Sequence, residues 1–416
     1  MGYFYGLPKQ KTAQGQNADD IQRQNRALIL RLIKQEKTTS RIELAKQSGL
    51  KPATISNIIK SFLDENIVCE TDLIEGNNGR RVTGIRLNYD RYCTMVVRIT
   101  RSYYNIGVFQ MYDECLYSEK EFINVLDDFD KACAKIKQAI VRCKNNIIGY
   151  ELLGAGIILE GELIYLTPSQ VQSDNSTYKL DDLPWVDEIS SELNIPVYVD
   201  KSVNMAANWY RNKSRDNEVP DTDDFVYVQV GYSIDCCMVN RYHGITGMSD
   251  MSGYLSHHIV DVNGRLCDCG NRGCIGQYVT VEAVKRRVGE LVQEHPSSWI
   301  SVENNIRDII KAYSIGDPLA LAVYGEVAEY LGILAANLAG IFDPARIRFG
   351  DELPPDDSFQ KAIEASFKKY ARGLGGRKTE IQLIKIPRDR KKDTALLGCN
   401  QYLFERLLMH MTDNNL

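Results

Sequence analysis

The stretch HHIVDVNGRLCDCGNRGC, running from His257 to Cys274, decides most of what can be read from this chain. It holds a C-x-C-G-x-x-G-C pattern, with Cys267, Cys269 and Cys274 close together and His257 ten residues before the first of them. Three thiolates and one imidazole complete a tetrahedral zinc shell, and the interleaved glycines let a loop fold back around the ion. The spacing is tighter than the paired CxxC knuckles of a zinc finger. The expected ligands of one structural Zn2+ are therefore His257, Cys267, Cys269 and Cys274. His258 is the alternative imidazole, and a loop of reduced cysteines is the alternative to a metal site.

Outside this stretch the chain has the composition of an ordinary globular protein. It has 416 residues, enough for two or three domains, with 44% hydrophobic and 25% charged residues. Most of the remaining cysteines, such as Cys69, Cys93, Cys133 and Cys143, stand singly in apolar stretches, as buried thiols do. No apolar run is expected to approach the roughly 20 residues of a bilayer crossing. The opening MGYFYGLPKQKTAQGQNADD lacks the apolar core of a secretion signal. The expectation is a cytoplasmic protein with no membrane partner.

The charge is unevenly shared. The first 88 residues carry 14 Lys and Arg against 9 Asp and Glu, while the remainder carries 36 against 46. A basic module on an acidic body suggests that only the first part meets a polyanion. Residues 1–18 are polar and without period, which suggests a flexible arm. From Asp19, Ile21, Leu28, Ile29, Leu32 and Ile33 fall on one helical face. Ser40 and Glu43 form a capping box for a short second helix that stops at Ser48-Gly49. Lys51-Pro52 opens a third helix. Its Ile55, Ile58, Ile59, Phe62 and Leu63 face inward, and Thr54, Ser56, Asn57 and Lys60 face outward. Small polar groups and a cation suit base edges and phosphates in a major groove. Strand-like runs at Ile67–Cys69 and Val82–Ile85 flank a Gly-Asn turn that leaves through Arg80-Arg81, the pattern of a basic wing. Residues 19–88 are thus expected to form a winged helix-turn-helix, touching double-stranded DNA through Lys51, Thr54, Ser56, Asn57, Lys60, Arg80 and Arg81.

From residue 89 to the end the pattern is α/β. Strands are expected at Met95–Ile99, Asn105–Phe109, Gly154–Leu159, Val197–Val199 and Phe225–Val230, with helical stretches between them.

With the cysteine loop, this body resembles the ROK family of repressors and sugar kinases over nearly the whole chain. The family motif, Gly-Glu-x-Gly-His, then the cysteine loop, then Glu and an aromatic, is met here by Gly253–His257 through Cys274-Ile275-Gly276-Gln277-Tyr278. Asp393–Gly398 resembles the start of the family's closing helix. The resemblance implies a two-lobed, actin-like ATPase body with a cleft, in homodimers or tetramers; the repressor branch adds a winged helix-turn-helix.

The same alignment implies lost chemistry. Lys201-Ser202 stand where the kinases carry an Asn-Asp pair, and a serine hydroxyl is too weakly basic to take a sugar proton at neutral pH. Asp200 is expected to point elsewhere. The phosphate turns correspond to Arg98–Ser102, Gly231–Asp235 and Gly350-Asp351, where side chains and carboxylates intrude on a backbone cradle. Of the family's sugar contacts, matched by Lys201, Ser202, Tyr254, His257 and Gly276, the histidine alone is kept. The expectation is a non-enzymatic regulator, a repressor of carbohydrate-related genes. Its cleft offers Lys201, Ser202 and Tyr254, with Arg98 and Arg101 near, to a sugar, sugar phosphate or sugar acid. A kinase with an appended domain, and a regulator controlled by a protein partner, are the alternatives.

Overall fold

A computed structural model describes residues 3–5, 18–75, 81–125, 128–161, 163, 184–216, 224–239, 252–374, 378–384 and 393–411. A three-residue strand, β1 (Tyr3–Tyr5), precedes the first helix, α1 (Ala18–Glu36). Ile29 and Ile33 of α1 are fully buried, but Ile21 is 52% exposed. Among the described side chains of α1 the first buried one is Arg26, and Ile21 does not join the inward face. Arg26 is itself buried. It donates to both carboxylate oxygens of Glu65 at 2.8 Å and to Ser61 Oγ at 2.5 Å, and lies over the Phe62 ring.

Helix α2 (Arg41–Ser48) starts where Ser40 Oγ accepts the Glu43 N–H. It stops at Gly49, whose φ of 71° would strain any residue with a Cβ. Helix α3 (Pro52–Asp64) follows and buries Ile55, Ile58, Ile59 and Phe62. The hairpin of β2 (Val68–Glu75) and β3 (Arg81–Leu87) extends beyond the runs expected from sequence. In its outer half Glu70, Asp72 and Leu73 are exposed, so no buried apolar alternation marks this stretch. Thr39 bridges Ile85 through two backbone hydrogen bonds, fastening the loop before α2 to the hairpin. Three helices and a hairpin in this order form a winged helix-turn-helix. The turn, residues 76–80 with Arg80, lies outside the described residues.

The first lobe holds β4 (Tyr92–Ile99), β5 (Tyr103–Gln110), β6 (Cys115–Phe122), α4 (Phe129–Asn145), β7 (Glu151–Leu159), α5 (Pro184–Leu193) and β8 (Val197–Lys201). Its sheet order is β1-β8-β7-β4-β5-β6, with β4, β7 and β8 parallel. Every residue of β4, β5 and β8 is buried, as strands covered on both faces must be. Tyr3–Tyr5 departs from the expected free arm, because its backbone pairs antiparallel with Val197–Val199 and covers the open edge of β8. A three-residue pairing so far along the chain leaves no local signal.

Helix α6 (Ser202–Asp216) leads to the second lobe: β9 (Phe225–Val230), β10 (Ile234–Val239), α7 (Gly276–Val279), α8 (Val281–Leu291), α9 (Ile306–Ser314), α10 (Pro318–Phe342), β11 (Arg346–Asp351), α11 (Asp357–Tyr370) and β12 (Glu380–Leu383). Its sheet order is β10-β9-β11-β12. In each lobe one strand, β4 or β9, has an antiparallel hairpin partner on one side and a parallel strand on the other. The two lobes therefore repeat one plan. Against expectation, α10 is long and apolar enough to cross a bilayer, with 25 residues. Its Leu331, Leu334, Ala335 and Leu338 are instead buried in the second lobe, while Glu326 and Glu329 pair with Arg287 and Lys369. It is a core helix.

The last helix, α12 (Thr394–Met411), packs on α6 and β7 between the lobes. Phe404 reaches further, into the cluster formed by Ile29, Ile33, Ile59 and Phe62 of the N-terminal unit, with Tyr92 and Met111 alongside. The unit is thus seated on the body through α12. Phe404→Ala is expected to cost about 3–5 kcal/mol, read as a lower urea midpoint, and a loss under about 1 kcal/mol would contradict this seating.

Candidate functional site

Three groups of the residues singled out above can be located. The first is the cysteine loop. The ligand atoms of His257, Cys267, Cys269 and Cys274 all lie within 4.8 Å of one another, close enough to share one metal ion. Cys267 Sγ is 3.4 Å from His257 Nδ1, and the Sγ atoms of Cys269 and Cys274 are 3.6 Å apart. His258 turns elsewhere, its Nε2 lying 3.4 Å from Asn337 Nδ2 on α10, and His257 is the imidazole grouped with the three cysteines. Gly273 has a φ of 72°, and a Cβ there would overlap the Asp261 carbonyl, so the closure of the loop requires glycine.

The donor chemistry fits a metal. Burial pushes the Cys274 thiol up, so its ionisation in place needs a cation beside it. The Asn271 backbone N–H holds the Cys269 thiol below its usual range. Gln277 Nε2 lies 3.6 Å from Cys267 Sγ as an outer contact. The loop is also anchored from outside. Arg265 donates to both oxygens of Glu290 on α8 at 2.6 and 2.7 Å, holding that carboxyl down at about 2. Its backbone N–H donates to Tyr278 Oη at 2.8 Å.

The second group is the outward face of α3. Lys51, Ser56, Asn57 and Lys60 are exposed and Thr54 is half-buried, on the side opposite Ile55, Ile58 and Ile59. Arg81 is exposed where β3 leaves the turn. Arg80 lies outside the described residues.

The third group is the cleft. Lys201 is buried and its Nζ donates to the Ser252 carbonyl, two residues before Tyr254. Ser202 Oγ accepts from Gln229 Nε2 at 3.2 Å. The Tyr254 ring meets His257 edge to face, at 5.7 Å between centroids. Asp200 accepts from the Tyr198 hydroxyl, the Lys201 N–H and Asn204 Nδ2, so three donors already hold it. Arg101 is exposed at the β4–β5 turn.

Sequence reasoning missed what Arg98 does there. It is 5% exposed, its Nη1 donates to Asp393 Oδ2 at 3.0 Å, and its Nη2 donates to Asp351 Oδ2 at 2.7 Å. Glu160 Oε1 lies 3.5 Å away. Gln229 Nε2 joins the same Asp351 oxygen at 2.7 Å, which links Ser202 to the cluster. Burial pushes the Glu160 carboxyl up to about 8, against the pull of Arg98 and with the help of Asp351, Asp235 and Glu352. The signal in the sequence was an arginine at the end of an otherwise apolar strand, which needs buried acceptors.

With this geometry in place, the comparisons can be set beside it. The ROK family model matches residues 97–405. The chain belongs to the ROK family. A xylose repressor from Caldicellulosiruptor bescii is 24% identical over 340 residues, spanning 79% of this chain and 83% of that protein. The DNA-binding transcriptional dual regulator NagC of Escherichia coli is 24% identical over 97% of this chain and 98% of its own length. A crystal structure of a ROK family transcriptional regulator, a homologue of the E. coli Mlc protein, superposes with a TM-score of 0.72 at 23% identity, covering 95% of this chain and 100% of that one. The fold is that of ROK regulators, with a sugar-kinase-like body of two lobes.

Within this ROK body, the cysteine loop is expected to carry about one metal ion per chain by elemental analysis, lost in Cys274→Ser; metal-free native protein would overturn the assignment. Glu160 gives a second prediction. Its folded value is raised above the unfolded one of 4.5, so the folded state binds the proton more tightly. Stability should therefore fall as pH rises from about 4.5 to about 8, and Glu160→Gln should remove that slope from the urea midpoints. A slope unchanged in the variant would assign it to other groups.

Proposed function

We propose that the chain is a cytoplasmic, homo-oligomeric transcriptional repressor of carbohydrate-related genes, with a body that performs no catalysis. The α3 face carries this reading. Thr54, Ser56 and Asn57 are short polar groups flanked by Lys51 and Lys60, above a packed apolar stripe. In a major groove the short side chains meet base edges while the lysines meet phosphates, and Arg80 and Arg81 of the wing reach the adjoining backbone. Relatives named as xylose repressor and N-acetylglucosamine repressor support a role in sugar metabolism.

The metal in this reading is a structural Zn2+ held by His257, Cys267, Cys269 and Cys274, a closed donor set with no open position for chemistry. The effector is a sugar or a sugar-derived anion received beside Lys201, Ser202 and Tyr254, with Lys201 exchanging the Ser252 carbonyl for the ligand. The absence of catalysis rests on Ser202, already an acceptor for Gln229, and on Asp200, already holding three donors. ATP-dependent phosphorylation of a sugar, abolished by Ser202→Ala, would overturn that part.

DNA binding is tested by footprinting the DNA upstream of the chain's own gene. A two-fold site is expected, with half-sites about one helical turn apart or a multiple of it. For a dimer neutralising phosphates with Lys51, Lys60 and Arg81 of each subunit, log affinity should fall against log salt with a slope of roughly −5. Asn57→Ala should cost about 1–3 kcal/mol and relax specificity, and Lys60→Ala should weaken all sites alike. No footprint at moderate salt would overturn the reading.

A further inference from the structure

The Arg98 cluster joins segments that are distant in sequence. Arg98 ends β4 and Glu160 follows β7, both in the first lobe; Asp351 ends β11 in the second. Asp393 precedes α12 and does two things at once. Its Oδ2 accepts from Arg98, and its Oδ1 accepts the N–H groups of Ala395 at 3.0 Å and Leu396 at 3.3 Å, capping the helix.

From that cap, α12 runs to the N-terminal unit and is held on the way. Asn400 is fully buried; its Oδ1 accepts from the Thr94 hydroxyl at 2.6 Å, and its Nδ2 donates to the Gln110 carbonyl at 3.0 Å and Asp113 Oδ1 at 2.8 Å. One turn later Phe404 enters the core of the N-terminal unit, and Glu405 lies 3.8 Å from Arg31 of α1. From Ala395 to Phe404 is about 14 Å of helix.

We propose that the Arg98 cluster is a latch between the lobes, and that α12 carries its state to the DNA-binding unit, so that opening the cleft loosens α1. The cluster is poised rather than fully satisfied. Among the described residues, Arg98 Nε, Glu160 Oε2 and Gln229 Oε1 are buried without a hydrogen-bond partner, which penalises the closed form. The groups facing Arg98 come from several elements: Asp351 and Glu352 at the end of β11, Asp393 before α12 and Glu160 after β7, with Asp235 of β10 facing Glu160 in turn. Lys120 of β6, Tyr103 of β5 and Arg307 of α9 complete the surroundings. The pairings of Arg98 with Asp351 and Asp393 hold the closed cleft against the unpartnered atoms of Arg98, Glu160 and Gln229, so it separates when one pairing is lost.

The significance for DNA rests on the function proposed above, but the test does not use DNA. Amide hydrogen exchange is followed in the full chain for Asp351→Asn, Asp393→Asn and a control, Ile363→Val, in the core of the second lobe. Both Asn variants keep shape: Asn tolerates the φ of 86° at position 351 and caps helices as well as Asp does. Each should raise exchange about tenfold along Ala395–Phe404 and at Ile29–Ile33 of α1, with the control at wild-type rates in both. Exchange that rises in Asp351→Asn only around β11, or in Asp393→Asn only in the first turn of α12, would overturn the proposal. Equal acceleration in the control would do so too, because the effect would then be global unfolding.

Discussion

A guanidinium buried between two sheets dictates what must surround it. Arg98 stays charged at any pH the fold survives, and desolvating it is tolerable only with anions at contact distance. Those anions are supplied by Asp351 and Asp393, with Glu160 a little farther off, and none is near Arg98 in sequence. Lobe closure, the position of β11 and the start of α12 are therefore one problem with one solution. The pair is not a large source of net stability, since burying it costs nearly what it returns. What it supplies is specificity: another relation of the lobes would leave a buried charge alone.

The metal loop is governed by different physics. Its ligands all come from one stretch, and its outer contacts run to α7, α8 and α10 of the same lobe, through Gln277, Glu290 and Asn337. Nothing in that set depends on whether the cleft is open. The segment before the loop reaches toward Lys201 and Asp235, where Ser252 accepts from Lys201 and Tyr254 bridges Asp235, and the Tyr254 ring meets His257. A closed donor set can thus persist while the neighbouring cleft changes its chemistry.

This division explains what the sequence disclosed. The helix-turn-helix was legible because its determinants are local: Ser40 caps, Gly49 stops, Pro52 starts, and the isoleucines of α3 repeat with the helix. The cysteine-loop group was legible for the same reason, although the contact that draws His258 aside comes from Asn337, on a distant helix. The pairing of Tyr3–Tyr5 with β8 and the outer half of the β2–β3 hairpin carried no periodic signal. The Arg98 cluster was illegible in principle, because residues up to 295 positions apart meet in it. Lys201 and Ser202 were found in the cleft, but the internal partners that occupy them could not be read from their neighbours in the chain.

Asp351 shows how far a cleft can change while its backbone does not. At the position where the family carries the second glycine of a pair, it keeps a φ of 86°, a conformation that costs an aspartate less than most residues. A glycine there leaves backbone N–H groups open to an anion. The aspartate instead adds an anion of its own, placed 2.7 Å from both Arg98 and Gln229. From the other lobe Arg98, which opens the segment matching the family's first phosphate turn, brings a cation to meet it, and Asp393 is its second partner. The charges of Arg98 and Asp351 are complementary. The contacts Asp351 makes with Arg98 and Gln229 therefore run within the chain, and through Arg98 and Asp393 they tie the relation of the lobes to the start of α12.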